Sequence, residues 1–154
     1  MKRLCYTSIL AAVFIFVALS AGLSADPAAR TVAIKAGDDM KFSVTKIVAT
    51  RGERLRIVLT SRGTMPKLAM AHNVVVLAKG TDADAFINAS ATARTTDYIA
   101  PALKAKVIAA TKLAGNGETV EVTFDVPKAA GNYDFVCSFP GHYLGGMRGV
   151  LTVK

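Results

Sequence analysis

Thr119-Val120-Glu121-Val122-Thr123-Phe124-Asp125-Val126 alternates polar and apolar residues over its whole length. A period of two puts Val120, Val122, Phe124 and Val126 on one face, the mark of a strand with one dry and one wet side. Arg54-Leu55-Arg56-Ile57-Val58-Leu59-Thr60 repeats the pattern, with Leu55, Ile57 and Leu59 turned away from Arg54, Arg56 and Thr60. Shorter candidates lie at 31–36, 43–50, 73–78, 105–112, 132–137 and 148–153. Gly37-Asp38-Asp39, Arg51-Gly52, Gly115-Asn116-Gly117 and Gly131-Asn132 supply turns between them. About eight short strands with regular turn signals indicate an all-β antiparallel sandwich or barrel. One stretch departs from the pattern. Thr81 to Ala100 is Ala-rich and opens on Thr81-Asp82-Ala83-Asp84, which reads as a helix start, so a helical excursion is expected at 81–100, ended before Pro101.

The N-terminus reads differently from the remainder. Lys2 and Arg3 precede an uncharged run from Leu4 to Leu19, wholly apolar from Ile9 to Val17, and Leu23-Ser24-Ala25 leads into Asp26-Pro27. This is the plan of a secretory signal peptide cut after Ala25, with an uncleaved membrane anchor as the rival. Residues 26–154 then form one domain. Of 154 residues, 19 are Lys or Arg and 11 are Asp or Glu. Loss of the leader's two basic residues turns the formal charge of +8 into 17 − 11 = +6. The apolar content excludes a disordered chain, and two cysteines exclude a disulfide-dense scaffold. Cys5 leaves with the leader, so Cys137 stands alone in an oxidising compartment: inert in the core, paired with another chain, or bound to a metal.

Cys137-Ser138-Phe139-Pro140-Gly141-His142-Tyr143-Leu144-Gly145-Gly146-Met147 joins two strand candidates. It carries a thiol, an imidazole and a thioether with four residues between each pair. The only other histidine is His72, at the start of the 73–78 candidate. Two imidazoles and a thiolate make a compact trigonal set, and a distant thioether adds a weak axial contact, which favours copper. Structural zinc sites are usually closed by Cys, His or carboxylates, and a methionine ligand is unusual there. Singly, each residue has a plainer use: a buried Cys is a small hydrophobe and a Met is core. Together, in a chain with no spare Cys or His, they read as one metal site.

The segment Phe135-Val136-Cys137-Ser138-Phe139-Pro140-Gly141-His142, with Met70-Ala71-His72-Asn73, resembles the azurin-type blue copper proteins of the cupredoxin family. Gly37-Asp38-Asp39-Met40-Lys41-Phe42, Met65-Pro66-Lys67, Asp97-Tyr98, Ala110-Thr111-Lys112-Leu113 and Val122–Val126 are similar to azurin stretches in the same order, from roughly Arg30 to Lys154. The resemblance implies an eight-stranded Greek-key sandwich with a helical flap, one type 1 copper ion and one-electron transfer. By position, His72, Cys137 and His142 are then equatorial ligands and Met147 the long axial one. Ala71 stands where azurins have Gly, and its carbonyl is a possible contact to the metal. Asn73 ties the first ligand's loop to Ser138, and the N–H groups of Asn73 and Phe139 donate to the Cys137 sulfur.

The chain departs from azurins in four places. Tyr143-Leu144-Gly145-Gly146 puts four residues between His142 and Met147 instead of three, a spacing seen in auracyanin-like proteins and plastocyanins. The azurin disulfide positions fall on Arg30 and Glu53, where an ion pair is expected instead. The buried Trp gives way to an aliphatic in Val74-Val75-Val76. Azurin's non-ligand His positions carry Ser61 and Ala110.

Function follows as an expectation from that family. A soluble, periplasmic, monomeric electron carrier would pass electrons through the exposed edge of His142 to a cytochrome, reductase or oxidase. Met40, Met65, Phe139, Pro140, Tyr143 and Leu144 would form the apolar docking patch. Arg51, Arg54, Arg56 and Arg62 lie on or beside one wet strand face and could steer an acidic partner. Copper storage or delivery on the same fold is the alternative. An enzyme is not expected, because a fully ligated single copper leaves no open position for a small-molecule substrate. Nucleic acid is excluded as a partner by export and by the lack of interleaved aromatic stacking positions.

Overall fold

The computed structural model describes residues 28–154; the leader expected at 1–25 lies outside the described residues. Eight strands run in the order β1 (Arg30–Ala36), β2 (Lys46–Ala49), β3 (Arg54–Ser61), β4 (Val75–Leu77), β5 (Val107–Ala110), β6 (Thr119–Asp125), β7 (Gly131–Val136) and β8 (Arg148–Val153). One helix, α1 (Ala83–Ser90), sits between β4 and β5. The strands form a three-stranded sheet, β1-β3-β6, and a five-stranded sheet, β2-β8-β7-β4-β5. The two sheets and the helical insertion are the β-sandwich with a flap that the strand pattern and the family resemblance imply. Among the described residues no helix is long and apolar enough to cross a membrane.

β3 buries the face its sequence marks, and β6 half-buries its own, with Val120, Val122 and Phe124 partly covered. Leu55, Ile57 and Leu59 are fully buried, and between the sheets they join Ile34, Ile47, Phe135, Leu151 and Val153. Removal of that apolar area from water is the main favourable term holding the sheets together, at about 25 cal/mol per Å². β4 differs. Val75, Val76 and Leu77 are all buried, because α1 covers the outer side of this strand with Ala83, Phe86 and Ile87. A strand covered on both faces loses its alternation, which is why Val74–Leu77 is a continuous apolar run. Val74, Val75 and Val76 are all fully buried, so aliphatics fill the region of the missing Trp. Gly149 faces Phe135 in the β7–β8 register. A Cβ there would come within 2.6 Å of the Thr45 carbonyl oxygen, so β8 accepts no side chain at this point.

Three expectations are corrected. The sandwich is not purely antiparallel: β1 pairs with β3, and β2 with β8, in parallel. Alternation marks which face is dry and carries no information on strand direction. The helical excursion is broken rather than continuous: α1 stops at Ser90, a 3-10 turn covers Arg94–Thr96, and a separate 3-10 helix runs from Pro101 to Lys106. Proline at the first helical position gives up no hydrogen bond and begins this turn instead of closing the previous one. Finally, the 43–50, 73–78 and 105–112 candidates contract to Lys46–Ala49, Val75–Leu77 and Val107–Ala110. In the second, Asn73, Val74 and Ala78 fall outside β4, and His72, just before the candidate, bridges to Ala114.

Candidate metal centre

The sandwich brings His72, Cys137 and His142 to one end. Cys137 directly follows β7, His142 lies in the loop to β8, and His72 precedes β4, which pairs with β7. Adjacent strand ends therefore deliver ligands from distant parts of the chain. Their donor atoms lie within 4.8 Å of one another, and all three residues are buried. The Cys137 Sγ is 3.5 Å from His142 Nδ1, and the two imidazole centroids are 4.9 Å apart.

Each candidate ligand is held by its backbone. His72 N–H donates to the Ala114 carbonyl at 2.9 Å, and Ala114 N–H returns a bond to the His72 carbonyl at 2.8 Å. His142 N–H donates to Phe139 O at 3.1 Å. Met147, fully buried, donates its N–H to His142 O at 3.0 Å and accepts from Cys137 N–H at 3.1 Å. Met147 thus clasps the two other loop residues through its main chain. Ala71 is buried directly before His72.

Behind the ligands lies a buried polar lock. Asn73 Nδ2 donates to Ser138 Oγ at 2.8 Å and to the Asp97 carbonyl at 3.0 Å, and Asn73 Oδ1 accepts from Ser138 N–H at 2.9 Å. The Ser138 hydroxyl reaches the same Asp97 carbonyl at 3.0 Å. Thr111 Oγ1 accepts from Val74 N–H at 3.0 Å and donates to Lys112 O at 3.0 Å. Neither the use of the Asp97 carbonyl nor that of the Thr111 hydroxyl follows from residue type. Asp97 and Tyr98 both have left-handed backbones, at φ 55° and 56°. Asp is among the few residues that take this conformation readily, and that was the one available signal.

The electrostatics suit a metal better than an ordinary core. Burial pushes the Cys137 thiol up to about 12, against which the N–H groups of Asn73 and Phe139 donate to the sulfur and pull down. Burial likewise holds the His142 imidazolium down to about 4, assisted by His72, and lowers His72 against the pull of Asp38 and Asp39. Both His72 ring nitrogens are buried without a hydrogen-bond partner. An unpaired buried polar atom costs about 1–3 kcal/mol, and a coordinated metal would remove that cost at one of them. A soft sulfur, two neutral imidazoles and a buried thioether nearby form a donor set that fits one type 1 copper ion.

The surface residues fall into two groups. Met65 is 43% exposed and Leu144 79%; Pro140 is exposed and Met40 half-buried. Leu68, three residues after Met65, is a further exposed apolar residue, at 76%, and was not singled out in the sequence. A single Leu in a loop without periodicity carries no pattern that would mark it. Phe139 and Tyr143 are buried. Phe139 packs edge-on against Tyr98 and lies 4.7 Å, centroid to centroid, from His142. Tyr143 turns inward among Val75, Leu77, Phe86 and Val136. A phenol beside an apolar flap gains more by burial there than on the surface, so Tyr143 leaves the expected patch. His142 is only 2% exposed, so its edge is nearly closed over instead of open to solvent.

The family described as copper binding proteins, plastocyanin/azurin family, matches residues 28–154. The chain is 40% identical over 111 residues to outer membrane protein H.8 of Neisseria meningitidis, covering 71% of this chain and 60% of that protein. It spans less than two thirds of that relative's length. Azurin of Pseudomonas aeruginosa is 37% identical over 148 residues, covering 94% of this chain and 97% of the relative. Among solved structures, auracyanin A of Chloroflexus aurantiacus superposes with a TM-score of 0.72 at 34% identity, covering 82% of this chain and all of that one. A reduced auracyanin of Roseiflexus castenholzii gives 0.72 at 32% identity, over 82% and 99% of the two chains.

Proposed function

This chain belongs to the plastocyanin/azurin family of copper-binding proteins, and on that premise we propose that it is an exported one-electron carrier. The observation that carries the reading is the buried set of Cys137, His72 and His142 donor atoms within 4.8 Å. Copper bound there supplies a couple between Cu(II) and Cu(I), with thiolate and thioether favouring the reduced ion and imidazole serving both.

The chain's residues act as holders. His72, Cys137 and His142 would hold the ion, with the Met147 thioether and the Ala71 carbonyl as further donors. The N–H donors of Asn73 and Phe139 stabilise the thiolate, which sets its electron donation to the metal. The lock of Asn73, Ser138 and Asp97 keeps ligand positions the same in both oxidation states. A site that does not rearrange exchanges electrons quickly. The exit runs through the edge of His142 beneath Phe139. The apolar surface of Met40, Met65, Leu68, Pro140 and Leu144 receives a transient partner such as a cytochrome, a reductase or an oxidase. Cleavage after Ala25 releases the domain of residues 26–154 into the periplasm as a monomer, and every ligand position is taken, which leaves no place for substrate chemistry.

The visible spectrum of the purified protein with Cu(II) tests the reading. An intense blue thiolate charge-transfer band is expected, lost in Cys137→Ser. A colourless copper-loaded protein, or a Cys137→Ser variant that keeps the colour, overturns it.

A further inference from the structure

The loop between His142 and Met147 has few anchors of its own. Leu144 is 79% exposed, and Gly145 and Gly146 have no side chains. Gly146, at φ +92°, adopts a backbone that other residues resist. The turn bonds Gly145 N–H to Gly141 O and Gly146 N–H to Tyr143 O, at 3.0 and 2.9 Å, close the loop on itself without attaching it to the sandwich. Two side chains make that attachment. Lys41 Nζ donates to the Gly145 carbonyl from the β1–β2 connection. On the other side stands Tyr143, the one large buried residue of the spacer.

Tyr143 reaches across to the flap. Its ring packs among Val75, Leu77, Ala83, Phe86, Ile87 and Val136. Its hydroxyl donates to Asp84 Oδ2 at 3.2 Å, in the first turn of α1, and accepts from Arg148 Nη1 at 3.2 Å. The Arg148 guanidinium also stands over the ring, 5.2 Å from its centroid. Asp84 and Arg148 thus carry opposite charges on either side of one phenol, each bonded to its oxygen. Hydrogen bonds to charged partners are the stronger kind. Tyr143 is the residue directly after His142, so a displaced phenol moves a metal-ligand backbone.

We propose that Tyr143, Asp84 and Arg148 form a clamp that ties the ligand loop to helix α1 and positions His142 and Met147 for the metal. Tyr143 is a positioning residue, and α1 acts as the fixed mount for one side of the centre. The inference rests on the copper reading above. It gives the flap a role in setting the site and explains how a longer, glycine-rich spacer still presents a defined geometry.

Tyr143→Phe keeps the ring in its cluster and removes only the hydroxyl; Asp84→Ala removes the acceptor and leaves the ring untouched. Both variants, loaded with Cu(II), should shift the reduction potential and the EPR copper hyperfine splitting in the same direction. Asp84→Ala should also release copper to a chelator about fivefold faster, the size expected from loss of one net hydrogen bond, and Tyr143→Phe, which loses the Arg148 bond as well, at least as fast. The double variant should do no more than Tyr143→Phe alone, because loss of the hydroxyl already breaks the Asp84 link. Unchanged potential, hyperfine splitting and release rate in both singles overturn the clamp. So does a change confined to the melting temperature of the metal-free protein, which would mean packing alone. A wild-type chain that binds no copper would overturn the function proposed above, a result separate from these.

Discussion

At the end of the sandwich that gathers His72, Cys137 and His142, the side chains tying one loop to another are buried and mostly neutral. Asn73 and Ser138 are fully buried and share the Asp97 carbonyl. At the other end of β1, about 20 Å away along a seven-residue strand, the tie is ionic and wet. Arg30 Nε pairs with Glu53 Oε1, and Arg30 Nη2 donates to Val48 O at 2.8 Å. The Glu53 carboxylate also accepts from Thr50 N–H at 2.8 Å. The side chain of Arg30 is 46% exposed and that of Glu53 19%. The two ends perform one mechanical task, joining loops to strands, with different chemistry. Behind the ligand positions, where Asn73 and Ser138 join the loops, the ties are short and mostly dry, and each is costly to break. Where only attachment is needed, a solvated ion pair suffices and is weak.

Asn73→Ala should break this contrast most severely. It leaves the buried Ser138 N–H without its partner and takes one partner each from the Ser138 hydroxyl and the Asp97 carbonyl, which keep only each other. A loss of about 3 kcal/mol is expected, since unsatisfied buried groups cost about 1–3 kcal/mol each. The urea midpoint should fall with the slope unchanged, and the copper-loaded variant should show a displaced charge-transfer band. A loss below about 0.5 kcal/mol would mean that the lock is ornamental, because surface substitutions alone reach that size.

The metal-free protein should show the next largest effect, in mild acid. Burial lowers the His142 pKa from its ordinary 6.5 to about 4. Between these values the unfolded chain binds a proton that the folded one refuses, so stability falls as pH drops from 6.5 towards 4. The loss is on the order of 2 kcal/mol at pH 5, and the lowered His72 adds to it. Bound copper keeps both rings unprotonated and should flatten this window. Melting curves of the metal-free and copper-loaded forms from pH 7 to 4 provide the check. Parallel curves would show that the histidines do not separate the two forms.

Much of this architecture was legible because it rests on periodicity and scarcity. Alternation located β3 and β6 within a residue or two, and one cysteine with two histidines left few ways to build a metal set. The remainder depends on features that side-chain type does not carry. Strand direction in the β1–β3 pair leaves no trace in an alternating sequence. The Asp97 carbonyl belongs to the backbone and is aimed by two successive left-handed residues. Tyr143 read as a surface aromatic because its neighbours in sequence, Leu144 and Gly145, are loop residues. Its real neighbours are Phe86 and Asp84, some 60 positions away in the chain. The Arg30–Glu53 pair was legible only through the family, as the place where a covalent link is missing.

That pair gives the smallest expected effect and the sharpest contrast with the metal end. Arg30 hydrogen-bonds the Glu53 carboxylate and holds its pKa below the ordinary 4.5, with Thr50 helping and slight burial opposing. A depressed carboxylate stabilises the fold above the unfolded value and loses that contribution as pH falls through the folded one. The far end should therefore weaken only below pH 4.5, after the metal-free histidine window has largely passed. In a double-mutant cycle with Arg30→Met and Glu53→Gln, the coupling at pH 7 should be about 0.5–1 kcal/mol, since exposed ion pairs rarely exceed that. It should shrink in 1 M salt, where the screening length is about 3 Å, and decline as the pH falls below 4.5. The colour and potential of the copper form should stay at wild-type values throughout, because this tie has no contact with the ligand loops. Coupling of several kcal/mol, or a shifted potential in either single variant, would show that the two ends are not mechanically independent and that the far strap helps to set the metal site.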